Sequence, residues 1–136
     1  MNIAKYSEWP DVKGELNIAV LGKSKIFDEL LKQNGKVVNG HTLKISQIDD
    51  LTGLAQSHIL YISDNKSGSM EDVIRQTEGK SVMIVAEREG MFRKGAGFSF
   101  IIMENNTLKF DINMSELEKR QIRVSKSLST LAHQSI

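Results

Sequence analysis

Cysteine is absent from this 136-residue sequence, and proline occurs once, as Pro10. The missing thiols exclude disulfide bonds and thiolate metal sites. They do not identify the compartment, because oxidising compartments permit disulfides without requiring them. Long apolar runs are missing too, since none approaches the roughly 18 residues from which a membrane-spanning helix is built. We therefore expect no direct insertion of these residues into a membrane.

An excess of charge of one sign is also missing. Lys and Arg number 18 against 17 Asp and Glu, which gives a formal net charge of +1, and no local run of basic residues stands out. Proteins that bind nucleic acid usually carry a basic patch or stripe, so the composition disfavours a nucleic-acid partner. The length is that of one domain with its own core, and we expect a single domain over residues 1–136.

Short apolar runs separated by helical patterns fill the first two-thirds of the chain. Runs of this kind, apolar on both faces, are typical of strands buried in a parallel sheet. The alternation predicts an α/β fold, which we expect to be a three-layer α/β/α sandwich with a mostly parallel sheet in the strand order 2-1-3-4. The strands are predicted at 16–21, 42–48, 58–63 and 81–86, and the helices between Ser24 and Gly35, from Asp49 through Leu54, and from Met70 to Thr77 behind a capping-box variant at Ser69 and Asp72.

The stretch from Ala86 to Asn113 carries the strongest local pattern. A glycine-rich loop, Gly90 to Gly97, leads into two alternating runs, 98–103 and 108–112, with turn-forming residues between them. This pattern predicts an antiparallel hairpin (98–112) at one edge of the sheet. Two closing helices are predicted, one from Asn113 or Ser115 through Arg120 and one from Ser125 with Leu128, Leu131 and Ala132 on one face.

The N-terminal residues are expected to be helical. Ile3, Tyr6 and Trp9 recur at helical spacing before Pro10 stops the pattern. No N-cap precedes them, so we expect Met1 to Trp9 to be the end of a longer helix that has been trimmed. These residues contain no signal peptide, because a cationic segment and an apolar segment are both missing.

Two motifs each match part of a known phosphate-binding or phosphoryl-transfer pattern, and neither match is complete. Gly22-Lys23-Ser24 resembles the end of a phosphate-binding loop, yet the pattern needs a glycine where Asn17 stands. Asp64 follows the third strand, where a phospho-receiver domain keeps its acceptor. The acidic residues that would hold Mg²⁺ are replaced there by Gly22-Lys23. We interpret both motifs as loop and capping residues.

No catalytic constellation is predicted. His41, His58 and His133 fall in three different elements and have no partner set. We expect no enzymatic activity, no catalytic residues, no cofactor and no metal site.

A series of short motifs, each weak alone, agrees in order and spacing with a known family. The motifs are Trp9-Pro10, Leu21-Gly22, Val38-Asn39-Gly40, Ile62-Ser63, Phe110-Asp111-Ile112-Asn113 and the Ser125 to Ala132 helix. Over nearly the whole chain this order resembles the YfiR-like family of periplasmic proteins, long catalogued as a domain of unknown function. The chain departs from the family at Gln121-Ile122, where Gly-Leu is common, and it lacks the cysteines that some members pair.

The resemblance implies a periplasmic, non-enzymatic signalling regulator. It would bind and repress a membrane-bound diguanylate cyclase or a related sensor protein through the periplasmic domain of that protein. A second hypothesis is an extracytoplasmic small-molecule sensor, for example of a histidine kinase. Its ligand would lie near the carboxyl ends of the parallel strands, between the 22–25, 63–66 and 86–97 loops. A homodimer also stays open.

Contact with the partner, or with a second copy, is predicted at an aromatic residue and along the charged glycine-rich loop. The candidate residues are Trp9, Arg88, Glu89, Met91, Phe92, Arg93 and Lys94. Met91 and Phe92 form an apolar pair in a loop that we expect to be mobile when free. Two alternatives remain open, namely that Phe92 packs under the loop and that Trp9 packs in the core.

Overall fold

The architecture is mixed α/β, built on one mostly parallel sheet. The structure, a computed structural model, describes residues 5–10, 14–24, 26–50, 57–102 and 108–136. The strands are β1 (Ser7–Glu8), β2 (Glu15–Leu21), β3 (Val37–Val38), β4 (His41–Ile48), β5 (Ile59–Ile62), β6 (Met83–Ala86), β7 (Phe98–Ile102), β8 (Leu108–Ile112) and β9 (Arg123–Val124). The helices are α1 (Ile26–Leu31), α2 (Met70–Gln76), α3 (Met114–Lys119) and α4 (Lys126–Ser129), with 3₁₀ helices at Asp64–Ser69 and Met91–Lys94.

Among the described residues, seven strands form the main sheet, in the order β3-β4-β2-β5-β6-β7-β8. Strands β4, β2, β5, β6 and β7 run parallel, while β3 and β8 pair antiparallel at the two edges. The mixed α/β class and the mostly parallel sheet are therefore confirmed. The first strand of the predicted hairpin joins β6 in parallel, with Val85 opposite Phe98, and its second strand pairs antiparallel with the first. The predicted turn between them lies outside the described residues.

Both faces of the sheet carry apolar side chains. Successive residues of a strand point to opposite faces, so each buried strand contributes to two clusters. One cluster contains Ile18, Val20, Tyr61, Val85 and Phe98, and the other contains Ala19, Leu21, Leu60, Ile62 and Ile84. This is why the strands read as continuous apolar runs in the sequence. The three-layer sandwich stays a prediction.

The carboxyl ends of three parallel strands are bonded to one another beyond the strands themselves. The N–H of Ser63 donates to the carbonyl of Leu21 at 3.0 Å, and the N–H of Glu87 donates to the carbonyl of Ile62 at 3.0 Å. Gly22 follows β2 with φ +86°, and a Cβ atom there would lie 2.5 Å from Cγ of Lys66. Only glycine suits this close approach, which brings the loop after β5 against the end of β2.

The predicted N-terminal helix is wrong at its end. Ser7–Glu8 is a strand that pairs antiparallel with Arg123–Val124, and the N–H of Ser125 donates to the carbonyl of Tyr6 at 2.8 Å. Backbone pairing with a segment far along the chain overrides the helical spacing of Tyr6 and Trp9. Residues 1–4 lie outside the described part of the chain.

Helix caps were predicted with mixed success. Asn113 caps α3 by accepting from the N–H of Glu116 at 3.0 Å, and Ser125 caps α4 by accepting from the N–H of Leu128 at 3.3 Å. The cap at Ser69 is wrong. Its hydroxyl makes no capping bond, because the preceding 3₁₀ helix holds it away from the extended backbone that a cap requires.

The end of the last helix also differs from the sequence prediction. Helix α4 ends at Ser129, and Leu131 beyond it is 64% exposed, so it does not lie on a buried face. The brief helix predicted from Asp49 through Leu54 falls largely on residues 51–56, outside the described residues.

Candidate functional site

A polar cluster lies at the carboxyl ends of β2, β5 and β6, and the carboxylate of Glu87 is its centre. The hydroxyl of Ser24 donates to Oε2 of Glu87 at 2.5 Å, and the hydroxyl of Tyr61 donates to the same oxygen at 2.7 Å. The N–H of Asp64 donates to Oε1 at 2.9 Å. Each donor belongs to a different segment, so one side chain ties together the segments that follow or end three neighbouring strands.

The hydrogen bonds to Glu87 favour its ionised form. Burial disfavours its charged form, but the bonds from Ser24, from the N–H of Asp64 and from Tyr61 together outweigh burial, and the pKa of Glu87 lies below its ordinary value. Burial, and next the bond to Glu87, raise the pKa of the Tyr61 phenol. At neutral pH the pair is therefore a carboxylate and a neutral phenol.

An ion pair lies beside this cluster. Nε of Arg88 donates to Oδ1 of Asp64 at 2.8 Å, and a second guanidinium nitrogen lies 3.4 Å from Oδ2. The bond to Arg88 lowers the pKa of Asp64, and the same bond raises the pKa of Arg88. Both side chains are more than half exposed, so the pair orients the two loops more than it stabilises the fold.

An open cavity of about 560 Å³ lies over the cluster. Its apolar walls are Ile26 at the start of α1, the ring of Tyr61 and the ring of Phe100 on β7. The two rings are 6.2 Å apart between centroids and tilted by 41°. The polar lining comes from Asp64, Glu87, Arg88 and Glu89. The 22–25, 63–66 and 86–97 loops, expected from the sequence to form a ligand site, each lie at or beside this cavity.

The glycine-rich loop is anchored through Phe92. Its side chain is 1% exposed, its N–H donates to the Ser99 hydroxyl at 3.2 Å, and its carbonyl accepts from the Asn113 amide at 2.8 Å. Gly95 ends the 3₁₀ helix with φ +112°, and a Cβ there would lie 2.8 Å from Ile74. The loop is therefore packed against α2 by close contact.

The expectation of an exposed Met91-Phe92 pair needs correction. Phe92 is buried and Met91 is half-buried against the second core cluster. The position of Phe92 agrees with the alternative prediction, that it packs beneath the loop. Backbone bonds of Phe92 to Ser99, just past the end of the loop, and to Asn113, 21 residues away, hold this part of the loop with the Phe92 side chain inward. The exposed members of the loop are the cations Arg93 and Lys94.

Trp9 lies at the other end of the sheet. Its indole N–H donates to the carbonyl of His58, just before β5, at 2.9 Å, and its half-buried ring packs against the first core cluster. Nδ1 of His58 accepts from the N–H of Asn17 at 2.8 Å. Burial, and next the nearby His41, lower the pKa of His58, so this imidazole is neutral at pH 7.

The seven candidate contact residues do not form one surface. Arg88 to Lys94 follow β6 at the carboxyl ends, whereas Trp9 is held at the amino end of β5. Cavities of about 620 Å³ and 520 Å³ lie beside Trp9 and share Glu8 and Arg123 in their lining. A single partner contact through all seven residues would have to span both ends of the sheet.

The Glu87 cluster is suited to binding a ligand rather than to catalysing a reaction. A serine hydroxyl bonded to a carboxylate is half of a nucleophile-base pair, but a carboxylate with a lowered pKa is a weak base. Asp64 is committed to Arg88, and Ser24 to Glu87. Within the described ranges no group of three or more His, Asp or Glu side chains is placed to hold a metal ion.

The sequence predicts the loops of this site but not the side chains at its centre. Ser24, Asp64 and Glu87 fall in the 22–25, 63–66 and 86–97 loops that are expected to bind a ligand, but the sequence assigns none of them a role there. Tyr61 is placed only in the predicted buried strand 58–63. One signal was available, since a tyrosine in the buried run His58 to Ser63 carries a hydroxyl that needs a partner. Naming that partner requires the order of the strands.

Comparison with known families places this chain. A family model described as DUF4154, YfiR/HmsC-like, matches residues 1–133 of the 136. In the part of the chain that the structure describes, no helix combines the length and apolar character needed to cross a bilayer. The family is one of periplasmic regulators rather than enzymes, and its name points to cyclic-di-GMP signalling. Because the match spans nearly the whole sequence and includes every motif from Trp9-Pro10 to Ala132, the chain belongs to the YfiR/HmsC-like family.

Proposed function

We propose that this protein is a periplasmic regulator that binds the periplasmic domain of a membrane-bound diguanylate cyclase, or of a related sensor protein, and represses it. The observation that carries the proposal is the family match over residues 1–133. The Glu87 cluster is consistent with it, because the cluster has the donors and acceptors of a binding site and lacks a base of suitable pKa.

The loop after β6 is the contact surface that we propose for the partner. Phe92 fixes the loop from below, and the guanidinium of Arg93 lies over its ring at 4.8 Å while donating to Gln134 at 2.9 Å. Lys94 is exposed beside it. Cations held on an anchored loop lose little conformational entropy on binding. They suit an acidic patch on the partner.

A charge reversal tests the contact. Lys94→Glu should weaken binding to the purified periplasmic domain of the cyclase about tenfold, equivalent to about 1.4 kcal/mol, and should relieve repression in membranes that contain the cyclase. Lys36→Glu is the matched control, because Lys36 is exposed beside the opposite edge of the sheet. Binding by interferometry and cyclic-di-GMP production are measured together. Wild-type protein that neither binds the domain nor lowers cyclase output would overturn the proposal.

A second candidate function is a small-molecule sensor, and the cavity over the Glu87 cluster favours it. Its volume of about 560 Å³ lies within the range of small-molecule sites, and such sites combine apolar walls with a few placed polar groups. The site also lies beyond the carboxyl ends of parallel strands, where open α/β sheets bind ligands. We also propose that the protein can form a homodimer through either end of the sheet. Sedimentation measures the oligomeric state.

A further inference from the structure

The cavity over the Glu87 cluster combines an aromatic surface with an excess of negative charge. The rings of Tyr61 and Phe100, 6.2 Å apart, form one wall, and Ile26 on α1 closes the apolar part. A flat apolar body can pack against such a wall, and the faces of aromatic rings attract cations.

The charges that line the cavity do not balance. Three carboxylates, those of Asp64, Glu87 and Glu89, face one guanidinium, that of Arg88, so the lining carries −3 + 1 = −2. Asp64 and Arg88 neutralise each other through their ion pair. The excess therefore belongs to Glu87 and Glu89.

Glu87 retains the capacity to bind one more donor. A carboxylate offers about four acceptor positions, and three are filled by Ser24, Tyr61 and the N–H of Asp64. The tyrosine is neutral and the carboxylate is charged, so the cluster as a whole attracts a cation. An anionic ligand would instead have to separate Arg88 from Asp64 and approach two further carboxylates.

From this arrangement we propose that the cavity over Glu87 is a binding site for a small organic cation, an ammonium group attached to an aromatic or apolar body. The body lies against Tyr61, Phe100 and Ile26, and the ammonium group lies toward Glu87 and Glu89. The proposal rests on the second candidate function, that of a small-molecule sensor, and adds the chemical class of the ligand. It does not depend on contact with a cyclase.

A set of three probes of one shape tests the charge of the ligand. The probes are 2-phenylethylamine, 2-phenylethanol and phenylacetate, which are cationic, neutral and anionic at pH 7, titrated into the full chain by calorimetry. The amine should bind most tightly, and Glu89→Gln should raise its Kd about three- to tenfold. Glu71→Gln, a matched change at an exposed position on α2, should leave the Kd unchanged.

The single tryptophan reports whether a probe binds away from the cavity. Trp9 lies at the opposite end of the sheet, so its fluorescence should stay constant while amide signals of residues 87–89 shift in an NMR titration. Tighter binding of phenylacetate, an equal effect of the two glutamine variants, or a change at Trp9 would overturn the cation site and leave a sensor of another ligand standing. Binding of none of the three probes would likewise overturn the cation site.

Discussion

The hydroxyl of Tyr61 donates to the carboxylate of Glu87 at 2.7 Å, and this bond joins β5 to the loop that follows β6. Tyr61 is 5% exposed, so its hydroxyl needs a partner inside the protein. Glu87 in turn gains one of the donors that keep it ionised. The pair therefore positions the wall of the cavity and fixes its charge at the same time.

Removing the tyrosine hydroxyl should destabilise the fold modestly. Tyr61→Phe keeps the ring and deletes one hydrogen bond to a charged group, so we expect a loss of about 1.5–3 kcal/mol in the free energy of unfolding. Urea denaturation at pH 7 measures this. Tyr6→Phe is the control, because Tyr6 is exposed, and its loss should stay under about 0.5 kcal/mol. Equal losses in the two variants would contradict the role of the Tyr61–Glu87 bond.

The lowered pKa of Glu87 predicts how stability changes with pH. In the folded chain Glu87 holds its proton less tightly than at its ordinary pKa of 4.5. Its contribution to stability is therefore complete above pH 4.5 and is lost as pH falls through the lower, folded value. Glu87→Gln should be less stable than wild type at pH 7, and the difference should shrink toward pH 3.

Denaturation midpoints measured from pH 7 to pH 3 test this dependence. Asp64→Asn is the companion variant, since the pKa of Asp64 is lowered too, but on an exposed side chain. Its effect on the curve should be smaller than that of Glu87→Gln. Parallel curves for wild type and Glu87→Gln would show that Glu87 does not titrate differently in the folded and unfolded states.

Emptying the space beneath the glycine-rich loop should be costly. Phe92→Ala removes a side chain that is 1% exposed, and truncation of a buried phenylalanine costs about 3–5 kcal/mol. Met91→Ala should cost less, because Met91 is half-buried. Thermal and urea denaturation give both values. Phe92→Ala could instead leave stability unchanged and weaken only partner binding. That result would contradict the buried position of Phe92 and would support its place in the partner interface.

The strands and the Asn113 cap were predictable because their signals are local. A buried parallel strand must be apolar on both faces, and a capping side chain lies three residues from the N–H that it accepts from. Strand β1 could not be found in this way, since Ser7–Glu8 exists only through pairing with Arg123–Val124.

Contacts between segments also explain why the buried position of Phe92 was left open and the centre of the Glu87 cluster was not predicted. Phe92 turns inward because Ser99 and Asn113 bond to its backbone. Glu87 becomes a centre only when the strand order brings Ser24 and Tyr61 beside it. Motif order was enough to predict the family, which the family match confirms, whereas the side chains at the centre of the candidate site depend on how the strands are arranged.

Arg120 gives the last test, at the junction of α3 with α2 and β6. Its side chain is 6% exposed, and Nη1 donates to the Thr77 hydroxyl at 2.9 Å, to the Thr77 carbonyl at 3.3 Å and to the Val82 carbonyl at 3.2 Å. Burial, opposed in part by Glu116, lowers its pKa, but a guanidinium stays charged at neutral pH. Arg120→Met keeps most of the apolar stem and removes the donor to the Thr77 hydroxyl and the Val82 carbonyl, while the Thr77 carbonyl keeps its bond from the N–H of Lys80 at 3.0 Å.

We expect Arg120→Met to lower the free energy of unfolding by about 2–3 kcal/mol, the cost of leaving buried polar groups unpaired. Arg75→Met is the matched control. Arg75 is exposed and its ion pair with Asp72 lies on the surface of α2, so its loss should cost about 0.5 kcal/mol or less. Thr77→Val combined with Arg120→Met completes a double-mutant cycle, because the two side chains share one bond. A coupling energy near zero would mean that the bond from Arg120 to the Thr77 hydroxyl adds nothing, and that the arginine acts through its stem and its bonds to the Thr77 and Val82 carbonyls.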